Sequence, residues 1–410
     1  MKIIIIGGGI GGLTAALCLN KIGHQVKVYE SVKEIKPLGV GINILPHSVR
    51  VLTNLDLQEK IAKIAIETSD LVYFNRFGQQ FWTEPRGLLA GYKWPQFSLH
   101  RGELQMLLFN EVIEKQGANS IQMNSHLNHF EQTENEVIAH FIDRDTNKII
   151  SKDSADILIG ADGINSVVRQ QLYPNEGPPI YSENILYRGT TIMRPFLNGK
   201  SMAMIGSLKQ KMVVYPIGAL DEKGNQLINW VGNLKEGTSK LTERDWNREA
   251  DKERLVDIYK NWEFDWLNVP AMIESSKAVY EFPMSDRNPL DKWTFGRVSL
   301  LGDAAHPMYP IGSNGASQAI LDADCLSENL KNNNNFLEAL IKYDAIRVPA
   351  TAKVVLQNRA KGPDEIMDMM EGWFPDGFSE KEIPHDKLAL VMDNYKKIAG
   401  FDIQTLNQKS

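Results

Sequence analysis

Cysteine is scarce: two in 410 residues leave no disulfide framework to carry stability. Both, Cys18 and Cys325, fall in helix-like patterns and read as small core residues. Long apolar runs are missing as well, since no stretch approaches the ~20 residues that cross a bilayer. Residues 3–6 make a short apolar run after Met1 and Lys2, but it stops at Gly7-Gly8-Gly9 with no cleavage-type segment beyond. The expectation is a cytoplasmic protein with no integral membrane segment. Positive charge is not in excess either. A net charge of −6 offers no broad cationic face, which argues against a nucleic-acid partner. No internal repeat, Ser-His-Asp set, His/Cys metal cluster or pair of catalytic carboxylates emerges, so no metal site is expected. What remains is an ordinary globular composition, 43% apolar and 23% charged. Its length calls for two domains, or one domain with a large insertion.

The first motif is local. Residues 3–6 read as a buried β-branched strand, and Gly7, Gly9 and Gly12 then supply G-x-G-x-x-G ahead of a helix with Leu13, Ala16 and Leu17 on its apolar stripe. The first glycine permits a tight turn, the second lets backbone approach a pyrophosphate, and the third lets helix pack on strand. Helix-start N–H groups at Ile10 and Gly11 offer positive dipole ends to phosphates. A second strand, residues 25–29, ends at Glu30, eighteen residues after Gly12. There an acid can accept both hydroxyls of an adenosine ribose. Together these parts predict dinucleotide binding without choosing between NAD and FAD.

Two further strand-to-loop motifs follow. Residues 157–159 run into Gly160-Ala161-Asp162-Gly163, then Ser166 and Arg169. Alone, Asp162-Gly163 is a strand-to-helix corner. Residues 298–301 run into Gly302-Asp303-Ala304-Ala305-His306-Pro307, with Gly312, Asn314, Gly315 and Ala316 opening another helix. Alone, Asp303 is a carboxylate capping a turn, and Arg101 is one member of a surface ion pair. His306 reads either as a base or as a structural histidine of the loop, and the second reading is preferred.

Read as a set, these residues resemble the single-component, class A FAD-dependent aromatic monooxygenases of the p-hydroxybenzoate hydroxylase type. The resemblance implies that the first glycine motif and Glu30 hold the ADP half of FAD. It implies that Asp162-Gly163, with Arg169 nearby, touch FAD and assist the nicotinamide cofactor. Gly302 and Asp303 would contact the ribitol, Arg101 the pyrophosphate, and Leu127 the adenine. The strings Pro37-Leu38-Gly39-Val40-Gly41-Ile42-Asn43-Ile44 and Glu84-Pro85-Arg86-Gly87, with residues 100–108 and 308–321, are similar to the phenazine-modifying branch. There Gly39, Val40 and Gly41 would lie against the flavin. The likeness covers about residues 1–360.

The implied fold class is α/β: a Rossmann-like FAD-binding domain with a glutathione-reductase-like βαβ unit, an interleaved mixed β-sheet substrate domain, and a C-terminal helical arm. Expected boundaries are 1–69, 99–178 and 284–360 for FAD, 70–98 and 179–283 for substrate, and 361–410 for an arm serving as scaffold. Strand-like pieces at 70–81 (a hairpin through Phe77-Gly78), 186–193, 212–215, 227–231 and 279–282 would build the substrate sheet, broken by a polar helix near 242–260. Candidate pocket walls are Tyr187, Arg188, Tyr215, Pro216, Trp230, Pro307, Met308 and Tyr309, each of which reads equally as core. No side chain is assigned as catalytic.

The implied activity is hydroxylation of a planar aromatic or N-heteroaromatic acid, phenazine-carboxylate-like or salicylate-like. NAD(P)H would be a transient co-substrate, O2 the oxidant, FAD tightly but non-covalently bound, and a flavin hydroperoxide the oxygen donor. The flavin ring would lie near residues 310–315, where backbone N–H groups at the helix start would face it and stabilise negative charge on it. The alternatives are an FAD-dependent reductase or oxidase on the same fold, and a flavin-fold binding protein without redox function.

Overall fold

The computed structural model describes residues 1–35, 40–237 and 248–409. Five parallel strands form the first sheet, in the order Val298–Leu300, Ile157–Gly160, Lys2–Ile6, Gln25–Tyr29, Ile121–Gln122. Ile3, Ile4 and Ile5 at its centre are fully buried, as β-branched residues of a sheet covered on both faces must be. The helix Ile10–Lys21 crosses over this sheet and packs between the helices Arg101–Gln116 and Gly315–Lys331. A three-stranded antiparallel sheet, His126–Gln132, Val137–Ile142 and Ile149–Ala155, lies beside it.

The second large sheet has eight strands of mixed direction, drawn from segments far apart in the chain. Its middle is a long antiparallel pair, Ile180–Met193 against Gln226–Lys235. Gln210–Pro216, Met202–Gly206, Asp70–Phe74 and Gln80–Pro85 extend it on one side, and Val279–Asp286 followed by the short strand Arg248–Glu249 on the other. The hairpin turns at Gly78, whose φ is +77°. The strand Met202–Gly206 has no counterpart among the sequence expectations. It is buried at every position, so the alternation that marks a half-exposed strand is absent.

This sheet has two unlike faces. Behind it lies a core of Trp230, Tyr259, Trp262 and Met272, with the short helices Lys252–Ile258 and Val269–Glu274. The polar helix expected near 242–260 lies partly outside the described residues. In front, Leu71, Tyr73, Met202, Met204 and Tyr215 meet Met392 of the C-terminal helix His385–Ala399. That front face and the loops at the carboxyl ends of the parallel strands enclose the cavity described next. Among the described residues no helix is long and apolar enough to cross a membrane.

Candidate active site

The glycine turn shows why each glycine is there. A Cβ on Gly7 would stand 2.4 Å from the Ala161 carbonyl oxygen, and one on Gly12 would stand 2.1 Å from the Gly7 carbonyl oxygen. Both positions are closed by the protein itself. Gly9 differs: its Cβ would meet nothing within 4 Å. It opens onto a cavity of about 1110 Å³ whose walls include Gly9, Ile10, Gly11, Val40, Gly41 and Arg101. The Glu30 carboxylate stands beside the turn, accepting from Gly8 N at 2.8 Å, Val32 N at 3.0 Å and Ser31 Oγ at 3.0 Å. Of its about four lone-pair positions, one remains for a ribose hydroxyl, where the sequence suggested two.

Farther along the cavity stand Gly302, Asp303, Gly312, Asn314, Gly315 and Ala316. Asp303 is exposed to the cavity and has no hydrogen-bond or ionic partner among the described residues. Opposite it, a Cβ on Gly315 would lie 4.0 Å from Asp303 Oδ1, at the start of the 17-residue helix Gly315–Lys331. Gly312 has φ +69°, and its Cβ position is filled by the Tyr395 ring, 2.1 Å away at the hydroxyl. Tyr395 Oη also receives Asn314 Nδ2 at 2.9 Å. These residues fit an elongated dinucleotide: an open glycine turn and two helix starts for phosphates, a guanidinium beside them, and a free carboxylate for hydroxyls.

Several sequence-level assignments need correction. Arg169 is fully buried and spends all five N–H groups on protein acceptors: Glu176, Ala304 O at 3.1 Å, Ala305 O at 2.7 Å and Asn288 O at 3.1 Å. It clamps the Gly302–Ala304 turn and has nothing left for a cofactor. Asp162 likewise turns away, accepting Ser166 Oγ at 2.5 Å and Val167 N at 2.7 Å at the start of the helix Val167–Leu172. Burial raises its carboxyl pKa, which these bonds partly offset. Its neighbours Ala161, Gly163 and Ile164 line the cavity instead. Leu127 is buried in the core and is not part of the cavity wall.

Gly39 lies outside the described residues, and Gly41 is closed by protein. Its Cβ would stand 2.6 Å from Tyr215 and 2.8 Å from Asn229, and its N–H donates to Asn229 Oδ1 at 2.6 Å. The glycine there lets the strand Gly41–Ile44 meet the eight-stranded sheet. Among the expected pocket walls, Arg188, Tyr215, Pro307 and Met308 do line the cavity, whereas Tyr187, Pro216, Trp230 and Tyr309 do not. Strand pleating is the reason: Tyr187 and Trp230 point to the rear core, where Tyr187 Oη contacts Glu236 at 3.0 Å and Trp230 Nε1 donates to Ser276 Oγ at 2.9 Å.

Arg188 faces forward, with Phe282 at 5.5 Å from its guanidinium carbon and a buried Nε that has no partner. Burial lowers its pKa, Tyr215 opposes the shift and Arg101 adds to it. His306 is structural. Its Nε2 lies 2.5 Å from Asp322 Oδ2, and Asp322 also takes Gly302 N at 3.0 Å and Arg347 Nε at 2.6 Å. Burial alone would raise the Asp322 carboxyl, but His306 and Arg347 hold it down at about 2.

Sequence reasoning missed walls contributed by Tyr73, Gln96, Lys211, Tyr395 and Lys396. The last two belong to the C-terminal arm, which is therefore part of the site and not scaffold alone. No local signal marks them, because each is defined by a partner far away in the chain. One metal-type group also escaped: His129, Glu131 and His140, neighbours across a strand pair away from the cavity.

Fold and site together define a dinucleotide-binding flavoprotein with a cavity against a mixed β-sheet. The chain belongs to the FAD binding domain family, which it matches over residues 1–358. It is 41% identical over 367 residues to the phenazine 1,6-dicarboxylic acid hydroxylase PhzS of Lysobacter antibioticus, covering 88% of this chain and 90% of that one. It is 29% identical over 369 residues to the 3-hydroxybenzoate 6-hydroxylase of Polaromonas naphthalenivorans, covering 88% and 87%. HpxO of Klebsiella pneumoniae, solved with FAD and uric acid, shares the fold at a TM-score of 0.78 and 23% identity, over 96% of each chain. The chain is an FAD-dependent monooxygenase of the aromatic hydroxylase class and uses NAD(P)H.

Proposed function

We propose that the substrate is a planar aromatic or N-heteroaromatic acid, of phenazine-carboxylate or salicylate type, and that this chain hydroxylates it. The observation that carries the reading is the front face of the eight-stranded sheet. Leu71, Met202, Met204, Val213 and Tyr215 make a flat apolar wall, and the turn carrying Pro307 and Met308 borders the same cavity. Such a slot favours a ring system over a sugar or a chain. The names of the relatives point the same way, toward phenazine and hydroxybenzoate substrates.

Bound FAD would supply the redox chemistry, in which two electrons from the nicotinamide let one atom of dioxygen enter an electron-rich ring while the other leaves as water. The chain's residues bind, orient and exclude water. Arg101 and the helix starts at Ile10 and Gly315 would hold the phosphates, and Asp303 and Glu30 would accept hydroxyls of the polyol and ribose. Arg188 supplies a permanent positive charge to the slot and favours an anionic, electron-rich ring. The sheet face and the C-terminal helix keep water from the reacting ring, since water diverts such chemistry to peroxide. The need for NAD(P)H supports a cytoplasmic location. The test is NAD(P)H oxidation with a panel of aromatic acids under labelled dioxygen. One labelled oxygen in the product is expected, and consumption of NAD(P)H with no label in any product would refute the reading.

A further inference from the structure

The cavity has an end that hydroxylation as described does not use. There the Glu84 carboxylate stands between Lys396 Nζ, from the C-terminal helix, and Arg86 Nη2 at 3.2 Å. Side-chain exposures of 9%, 11% and 16% for Glu84, Arg86 and Lys396 keep the group out of bulk water. Two cations against one buried carboxylate leave a positive charge in excess. The other acid near Lys396, Asp393 at 3.2 Å, is 64% exposed, and its attraction is weakened by solvent.

Unmet hydrogen-bonding capacity converges on the same place. Arg86 Nε, Gln96 Oε1 and the Tyr73 hydroxyl are buried without a hydrogen-bond partner, and all three residues line the cavity. Buried polar atoms are ordinarily paired, so a cluster of orphans facing one cavity marks a ligand's place. Tyr73 packs with Leu71, Met202, Met204 and Met392, an apolar sleeve leading to this polar end.

We propose that Arg86 and Lys396 form an anion subsite for a carboxylate at the remote edge of an elongated planar substrate. Glu84 is the resident counter-ion that keeps two cations side by side before the substrate arrives. The proposal rests on the aromatic-acid reading above and deepens it by placing the acid. It also gives the C-terminal arm a role in specificity.

The test titrates FAD-loaded enzyme with phenazine-1-carboxylate and with uncharged phenazine, reading the flavin absorbance change. The wild type should bind the carboxylate at least 10-fold more tightly. Lys396→Met and Arg86→Gln should each weaken the carboxylate about 10- to 100-fold, as expected for a lost charge-assisted bond, and leave phenazine binding unchanged. Lys396→Arg should retain the discrimination, which separates the lost charge from a damaged fold. Equal binding of the two probes by the wild type, or undiminished discrimination in both charge-removing variants, overturns the subsite. Discrimination without labelled oxygen in any product would leave the subsite standing and refute hydroxylation.

Discussion

Gly9 and Gly12 sit three residues apart on the same turn, yet their missing side chains serve opposite purposes. An alanine methyl at 12 collides with the Gly7 carbonyl, whereas one at 9 enters the cavity. Gly12→Ala should therefore lower apo-protein stability by about 1–3 kcal/mol, as overpacking does, seen in denaturant unfolding. Gly9→Ala should leave apo-protein unfolding unchanged and abolish FAD retention on gel filtration. Matching losses of stability in the two variants would contradict this division. At Glu30, removal of the carboxylate costs both the Gly8 anchor and the ribose acceptor. Glu30→Ala should weaken FAD by about 1.5–3 kcal/mol, read by fluorescence of released flavin. Glu30→Gln should fail to rescue if its amide presents N–H groups to the Gly8 N–H.

Elements are held in register around the site by buried charge. Arg169, on the short helix Val167–Leu172, reaches across to the carbonyls of Ala304 and Ala305 and fixes the turn that carries Asp303. Asp322, on the helix Gly315–Lys331, fixes the same turn from the other side through Gly302 N and His306. Removing one partner of such a buried pair strands the other charge, and Glu176 would keep only Arg287, 3.2 Å away. Arg169→Met should thus destabilise the protein by about 3–5 kcal/mol in urea unfolding. Arg169→Lys should recover little, because one ammonium cannot replace five guanidinium donors. A Lys variant as stable as wild type would show that the clamp is only a charge.

The whole molecule should be acid-sensitive through His47. It is 1% exposed, and its pKa falls from 6.5 to about 3, first by burial and then by the positive charges of Arg347, Lys409 and Arg50. The native state keeps this ring neutral while the unfolded chain protonates it below pH 6.5. Between pH 6.5 and 3 the unfolded state binds more protons, so stability falls as pH falls through that window. By pH 5 the loss from this residue is about 2 kcal/mol. His47→Leu should flatten the slope of stability against pH between 6.5 and 5, measured by urea unfolding. An unchanged slope would remove His47 as its source.

At this scale the division between sequence and tertiary structure is clear. The glycine turn, the strand before it and the helix after it were legible because strand, turn and helix are contiguous and only glycine meets their steric demands. From these came a dinucleotide site and the α/β class, while FAD and a monooxygenase came from the family resemblance that the later strand-to-loop motifs carry. The sequence could not tell Arg188 from Tyr187, because a strand buried on both faces loses the alternation that assigns its sides. It gave no sign that Lys396 meets Glu84, or that Arg169 spends its donors on backbone carbonyls. Those pairings join segments far apart in the chain, and they exist only because the sheets bring the segments together. Local sterics thus wrote a dinucleotide site into the sequence. The shape and charge of the chamber beside it were decided by which faces the folded sheets turned inward.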